Sequence, residues 1–314
     1  MDRTILQRRL NSRSVALLTL FVSLVGSSSS GRADRELTGL TAFSQTHKGV
    51  LLWYDASGHL LVAGQISDPL GRVKAFSKSP GRTLPSLSPD GKKIAFVQTE
   101  NTSQDKKREE SAIWILHVDR GAVDKAAILP WVNALSWSPG GDKLAFTSEG
   151  LKILTLADKQ ITLITGDKPS EAIPSWSPDE HQIAYESVTG DGDHRVFHVN
   201  VADLISGEIK TIAEGRSPSW SPKGDQIAYL DFKEQAYFSV SPTGANKKLL
   251  VKAGNAPFKG PLLGMRFVWS PDQIHAIYNA FYDGGVEAIG VDLPTGKKHV
   301  IKQVGYFAAV DWRQ

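Results

Sequence analysis

The sequence predicts an all-β fold: a six-bladed β-propeller of four-stranded antiparallel blades, with the ring closed by joining the N- and C-terminal strands. Three observations carry this. First, one short stretch recurs. It is clearest at Pro174-Ser175-Trp176-Ser177-Pro178-Asp179, followed by Ile183-Ala184-Tyr185, and at Pro218-Ser219-Trp220-Ser221-Pro222-Lys223-Gly224, followed by Ile227-Ala228-Tyr229. Second, the anchor position of the stretch falls at 87, 137, 176, 220, 269 and 312, a spacing of about 45 residues that suits a four-stranded blade. Third, the two ends of the chain look complementary: one supplies strands without an innermost partner, the other an innermost strand alone.

Each copy is a hairpin by its chemistry. Alternating apolar residues run into the anchor as a half-buried strand requires. Ser-Pro-Asp-Gly is a turn, because Pro presets φ, Asp bonds nearby backbone and Gly accepts positive φ without a steric cost. Ile-Ala-Phe/Tyr is the returning strand. Leu87 stands at the anchor in the first copy, and the fifth copy is looser, Phe267-Val268-Trp269-Ser270-Pro271-Asp272.

In chain order, residues 1–33 read as a secretory signal peptide. Arg3, Arg8, Arg9 and Arg13 form a basic start, and Val15 to Val25 is an apolar run too short to span a bilayer as a helix. The alternatives are an uncleaved anchor and, from Arg8-Arg9, a twin-arginine signal; the expected mature start is near Asp34. The leader holds five Arg and one Asp, so a chain of net charge +3 leaves a mature part near −1. The basic balance therefore gives no reason to expect a nucleic-acid partner. With no Cys, disulfides, thiol chemistry and lipoprotein acylation are excluded, and no second apolar run has membrane length.

Residues 34–314 form the propeller. Leu40 to Phe43, Val50 to Asp55 and Leu60 to Ile66 read as second, third and fourth strands. Blade-sized units follow at 84–130, 131–170, 171–214, 215–262 and 263–304. Third strands are expected at Leu151–Leu156, Val196–Val201, Ala236–Val240 and Val286–Val291. Fourth strands are expected at Ala126–Leu129, Ile161–Ile164, Ile209–Ile212, Lys248–Val251 and His299–Lys302. The innermost strand Phe307 to Trp312 completes the first blade, hiding edges that invite aggregation.

These repeats resemble the TolB-like β-propeller family. The resemblance covers nearly everything after the leader, and it is limited to the propeller: the smaller α/β domain that precedes it in TolB proteins has no counterpart in this reading. It implies a non-catalytic, exported protein, periplasmic or otherwise extracytoplasmic. It also implies a protein partner in the cell envelope, such as a peptidoglycan-associated lipoprotein, held at the channel mouth by a monomer without a cofactor.

Blade topology places the Ser-Pro-Asp-Gly turns on one face. The second-to-third-strand loops and blade-to-blade connections lie on the other, where variable loops on a rigid scaffold usually bind. The loop from Thr99 to Ser111, with Arg108, is a docking loop or a solvated excursion. Phe258 and Tyr282 are aromatics for a binding rim or packing under a loop. Four residues before each anchor, Thr83, Asn133, Ala172, Arg216, Met265 and Ala308 are expected to ring the channel. Arg216, with Arg266 beside the ring, would receive a carboxylate or pair with an acid of the neighbouring blade. Asp191 and Asp193 place oxygen ligands at short spacing, but the full calcium-loop signature is absent, so a plain turn is the other reading.

The recurring Ser is a turn residue, since it recurs five times and a nucleophile would not. No Gly-x-Ser-x-Gly elbow, His/Cys metal spacing or phosphate loop occurs. The competing class is a propeller enzyme, a hydrolase or lyase acting on a small ester or sugar with a metal in its channel. It needs several carboxylates or His converging on the mouth, and the predicted ring supplies none.

Overall fold

The computed structural model describes residues 40–44, 50–54, 60–65, 86–100, 110–117, 122–132, 134–167, 173–254, 267–270, 272–282, 285–304 and 309–313. The leader lies outside them. Near the N-terminus are β1 (Leu40–Ser44), β2 (Val50–Tyr54) and β3 (Leu60–Gln65). The first sheet holds β4 (Ser86–Leu87), β5 (Lys93–Glu100), β6 (Glu110–His117) and β7 (Val123–Leu129). The second holds β8 (Leu135–Trp137), β9 (Lys143–Thr147), β10 (Leu151–Thr155) and β11 (Ile161–Thr165). The third holds β12 (Ser175–Trp176), β13 (Gln182–Thr189), β14 (Val196–Asp203) and β15 (Ile209–Glu214). The fourth holds β16 (Arg216–Trp220), β17 (Ile227–Asp231), β18 (Ala236–Val240) and β19 (Lys248–Lys252). The fifth holds β20 (Val268–Trp269), β21 (His275–Tyr282), β22 (Gly285–Asp292) and β23 (Lys298–Val304), and β24 (Ala309–Arg313) follows.

Each four-stranded sheet is an antiparallel meander in chain order. Two further pairings involve the ends. β2 pairs with β3, and β1 pairs antiparallel with β24 from Leu40 opposite Arg313 to Ser44 opposite Ala309. The expected third and fourth strands fall within a few residues of those observed, because the turn residues bounding them set the limits.

The repeat turn has a definite bonding pattern. In the first copy Ser88 Oγ donates to Asp90 at 2.6 Å and accepts from the Lys93 backbone N–H at 2.9 Å. The third repeats this with Ser177, Asp179 and Gln182, and the fifth with Ser270, Asp272 and His275. In the second and fourth copies the acid comes two residues later, yet Asp142 and Asp225 reach the same Ser, at 3.0 and 2.7 Å. The Ser88 and Ser177 hydroxyls hold the Asp90 and Asp179 carboxyls below the usual carboxylate range. The last turn residue takes positive φ, as Gly at 91, 141 and 224 and as Glu180 and Gln273 in the other two copies.

Neighbouring sheets meet through the anchors. The Trp137 indole Nε1 donates to the Ser86 carbonyl at 2.8 Å, Trp176 to Ser136 at 3.2 Å and Trp269 to Ser219 at 3.2 Å. In each case the acceptor is the residue before the preceding anchor. All three indoles are buried, in cores shared by adjacent sheets. These three anchor Trp side chains are therefore structural plugs between adjacent sheets. Trp220 departs from the rule. Its Nε1 has no hydrogen-bond partner among the described residues, and its backbone N–H instead donates to Ser175 Oγ at 2.9 Å.

That difference is measurable. Trp137→Phe strands a buried carbonyl, a penalty of about 1–3 kcal/mol, on top of the packing loss. Trp220→Phe suffers the packing loss alone. Urea unfolding of both variants should show Trp137→Phe to be the more destabilised by about 1 kcal/mol or more; equal losses would overturn the bonding scheme.

Candidate functional site

Sequence change at one repeat position creates the most distinctive junction. The residue after the Phe/Tyr of the returning strand is Val97, Thr147, Leu230 or Asn279 in four copies, but Glu186 in the third. It sits on β13 with its side chain fully buried. A buried carboxylate must be compensated. Arg216 Nε, on the first residue of β16, donates to Glu186 Oε1 at 2.7 Å, and the Ser217 backbone N–H donates to Oε2 at 2.8 Å.

The backbone bends to allow this. Ser217 has φ 54°, a left-handed conformation that costs a non-Gly residue about 1–2 kcal/mol, and the β16–β17 register shifts between Arg216 and Ser219. Gly215 leads into the bend. A Cβ there would lie 2.4 Å from Tyr229 Cδ2 and 2.9 Å from the Leu230 carbonyl oxygen, so only Gly fits.

The Arg216 guanidinium lies over the Phe197 ring, 3.8 Å from its centroid, and 5.8 Å from that of Phe232. Only 13% of the Arg216 side chain is exposed. Its partners belong to β13, β14 and the link after β17, so it occupies the seam between the third and fourth sheets. Tyr229, Asp231 and Lys247 extend this seam. Lys247 donates to Asp231 at 2.9 Å and lies 4.2 Å above Phe238. Burial raises the Asp231 pKa, but Lys247 and the Glu234 backbone N–H outweigh it and hold the carboxyl below its ordinary value. Lys233 pairs with Glu214 at 2.7 Å on the surface.

The predicted site residues divide as follows. Of the six ring positions only Arg216 is among the described residues, and the acid that reaches it is Glu186 of the neighbouring sheet. Asn133, Arg266, Phe258 and Arg108 lie outside the described residues. Tyr282 closes β21 opposite Gly285, and only its backbone is described. Asp191 and Asp193 are exposed around a 3-10 turn at Gly192–His194, where the His194 N–H bonds the Asp191 carbonyl. No group of three or more His, Cys, Asp or Glu gathers among the described residues, and none of their helices is long and apolar enough to cross a membrane. Sequence reasoning missed Glu186, Phe197 and Phe232. Glu186 had a signal, as the one charged residue at its repeat position; the aromatics had none, because their role depends on where Arg216 points.

The ion pair makes a clear prediction. Glu186→Ala should cost about 3–5 kcal/mol by leaving the guanidinium without its acid. Adding Arg216→Ala should recover part of that loss. A double-mutant cycle by thermal or urea unfolding measures it, and simple additivity would mean that the pair does not couple.

Comparison with known proteins follows from this architecture. Residues 72–312 match the TolB beta propeller domain family. The Tol-Pal system protein TolB of Francisella tularensis subsp. tularensis (strain WY96-3418) is 27% identical over 217 residues, covering 64% of this chain and 47% of that protein. The match thus spans about half the length of that relative. Among solved structures, TolB from Acinetobacter baumannii superimposes with a TM-score of 0.64 at 17% identity, covering 93% of this chain and 69% of the other. An oligogalacturonate lyase in complex with manganese reaches 0.50 at 14% identity, covering 72% of this chain and 65% of its own; at such identity the likeness is one of fold alone. With a family match across most of its length and five antiparallel four-stranded sheets among the described residues, the chain belongs to the TolB β-propeller family.

Proposed function

We propose that this chain is an exported, non-catalytic propeller of the cell envelope that holds a protein partner on the face opposite its repeat turns. Membership of the TolB propeller family carries the reading, supported by a relative named as a Tol-Pal system protein. The partner class this suggests is a peptidoglycan-associated lipoprotein or a protein like it. The two faces also differ in kind. Five near-identical Ser–Asp turns fill one. The other carries irregular loops, with Arg216, Arg266, Asn133, Phe258, Tyr282 and Arg108 as the proposed contact residues.

The ring is proposed to have six blades. The β1–β24 ladder supports this, since it joins the chain ends as a first blade shared between them would. Deleting residues 306–314 removes β24, the strand that pairs with β1, and leaves that edge open. The truncated protein should melt well below the full chain; an unchanged melting temperature would refute closure.

Binding is tested separately. Because Arg216 holds Glu186, the variants for the partner face are Arg266→Ala and Phe258→Ala. Titrated against the soluble domain of a peptidoglycan-associated lipoprotein, they should weaken binding by about 2 kcal/mol or more. Lys92→Ala and Lys223→Ala, on exposed repeat turns, should change it by no more than about 0.5 kcal/mol. The reverse pattern would place the partner on the turn face.

A further inference from the structure

The seam between the third and fourth sheets opens into a cleft of about 710 Å³, within the size range of small-ligand sites. Its limits follow from the packing. At the turn end the link after β18 closes on β15, where a Cβ on Gly244 would lie 2.9 Å from the Ile212 carbonyl oxygen. At the other end the Glu186–Arg216–Ser217 cluster wedges the sheets. Across the same seam, the indole-to-carbonyl bond made by three other anchors is missing at Trp220.

The lining is selective. Phe197 and Phe232 line the cleft with aromatic rings; Phe232 is 37% exposed, while Tyr229 behind them is buried. Each acid of the lining has a lysine beside it: Glu214 has Lys233 and Asp231 has Lys247 in hydrogen-bonded pairs, and Glu234 has Lys252 at 4.0 Å. A cationic ligand would find no carboxylate to itself there. The guanidinium of Arg216 differs. Arginine presents several N–H donors in a planar fork. Nε serves Glu186, and no other hydrogen bond of this side chain is made to the described residues. Stacking on Phe197 fixes the plane, so the outer Nη edge is held in place before any ligand arrives. Arg195, 6.0 Å from the Phe197 centroid, adds a second positive charge at the rim.

We propose that this cleft binds a small organic acid, with its carboxylate taken in bidentate fashion by the Nη edge of Arg216 and its aryl or branched-alkyl body laid against Phe232. A fork-shaped donor matches a planar carboxylate, and the apolar walls favour a monoanion with a hydrophobic body over a small inorganic anion. The site shares Arg216 with the proposed partner face. It is tested on small acids alone, so its failure leaves the protein-binding reading standing.

The probes are phenylacetate, isovalerate, phenylacetamide, inorganic phosphate and a short peptide ending in a free phenylalanine carboxylate. Each is titrated into the full chain by ligand-observed NMR. Both free acids should saturate below about 10 mM, and phenylacetamide should bind roughly tenfold or more weakly, because it cannot make the charge-assisted pair. Phe232→Ser changes an exposed side chain, so the fold should survive while acid binding is lost. The neutral exchange E186Q/R216Q removes both members of the ion pair together and should abolish the preference for acid over amide. Lys223→Ala should bind as wild type. The proposal is overturned if amide and acid bind alike, if phosphate competes as well as phenylacetate, or if Phe232→Ser binds normally. It is also overturned if only the peptide binds, since the site would then be reading a chain terminus and not a free acid.

Discussion

The architecture depends on one bond made repeatedly: an anchor indole of one sheet donating to a backbone carbonyl of the sheet before it. The innermost strands are short, two or three residues in β4, β8, β12 and β20, so their own ladders contribute little. Burying the indole supplies apolar area, and its N–H supplies direction. A buried carbonyl left without a donor is costly, so the bond fixes both the distance and the register between neighbouring sheets.

The repeat turn prepares each anchor for that role. Ser Oγ ties the start of the hairpin to the first residue of the returning strand and is itself held by an Asp. Ser88 and Ser177 are buried, so the hydroxyl and its acid form a small polar unit inside an apolar repeat. It tolerates two sequence spacings, Ser-x-Asp and Ser-x-x-x-Asp, because both bring a carboxylate back over the same hydroxyl. This tolerance explains why the copies look irregular in sequence while their turns close alike.

Most of the fold was legible because its signals are local and repeated. Trp-Ser-Pro fixes where a strand ends, and Ile-Ala-Tyr fixes where the next begins. Even Ala236–Val240, with no motif of its own, was bounded correctly by flanking turns. The candidate site was less legible, and Arg216 shows why. Counting back from Trp220 placed it at the channel entrance, but its direction is set by a bulge at Ser217 that no turn motif announces. The acid that captures it comes from 30 residues earlier, and sequence alone offered a neighbouring acid only as a class. Phe197 and Phe232 became relevant only once that direction was known.

The third-to-fourth seam shows how a repeat protein can acquire a site. Consistency across levels specifies the fold, and local departures from it tend to coincide with function. One departure here demanded others. Glu186 needs a cation and a donor; Arg216 supplies the first and the strained Ser217 backbone the second. Gly215 is then required because Tyr229 and Leu230 crowd the approach. With β16 displaced, Trp220 bonds the Ser175 hydroxyl through its backbone, not the carbonyl through its indole. Removing the acid would not by itself restore the standard seam, since the Ser175 hydroxyl would still hold the shifted strand. The cleft is therefore a property of the whole set of residues, and the seam trades a uniform staple for a guanidinium fixed on an aromatic ring.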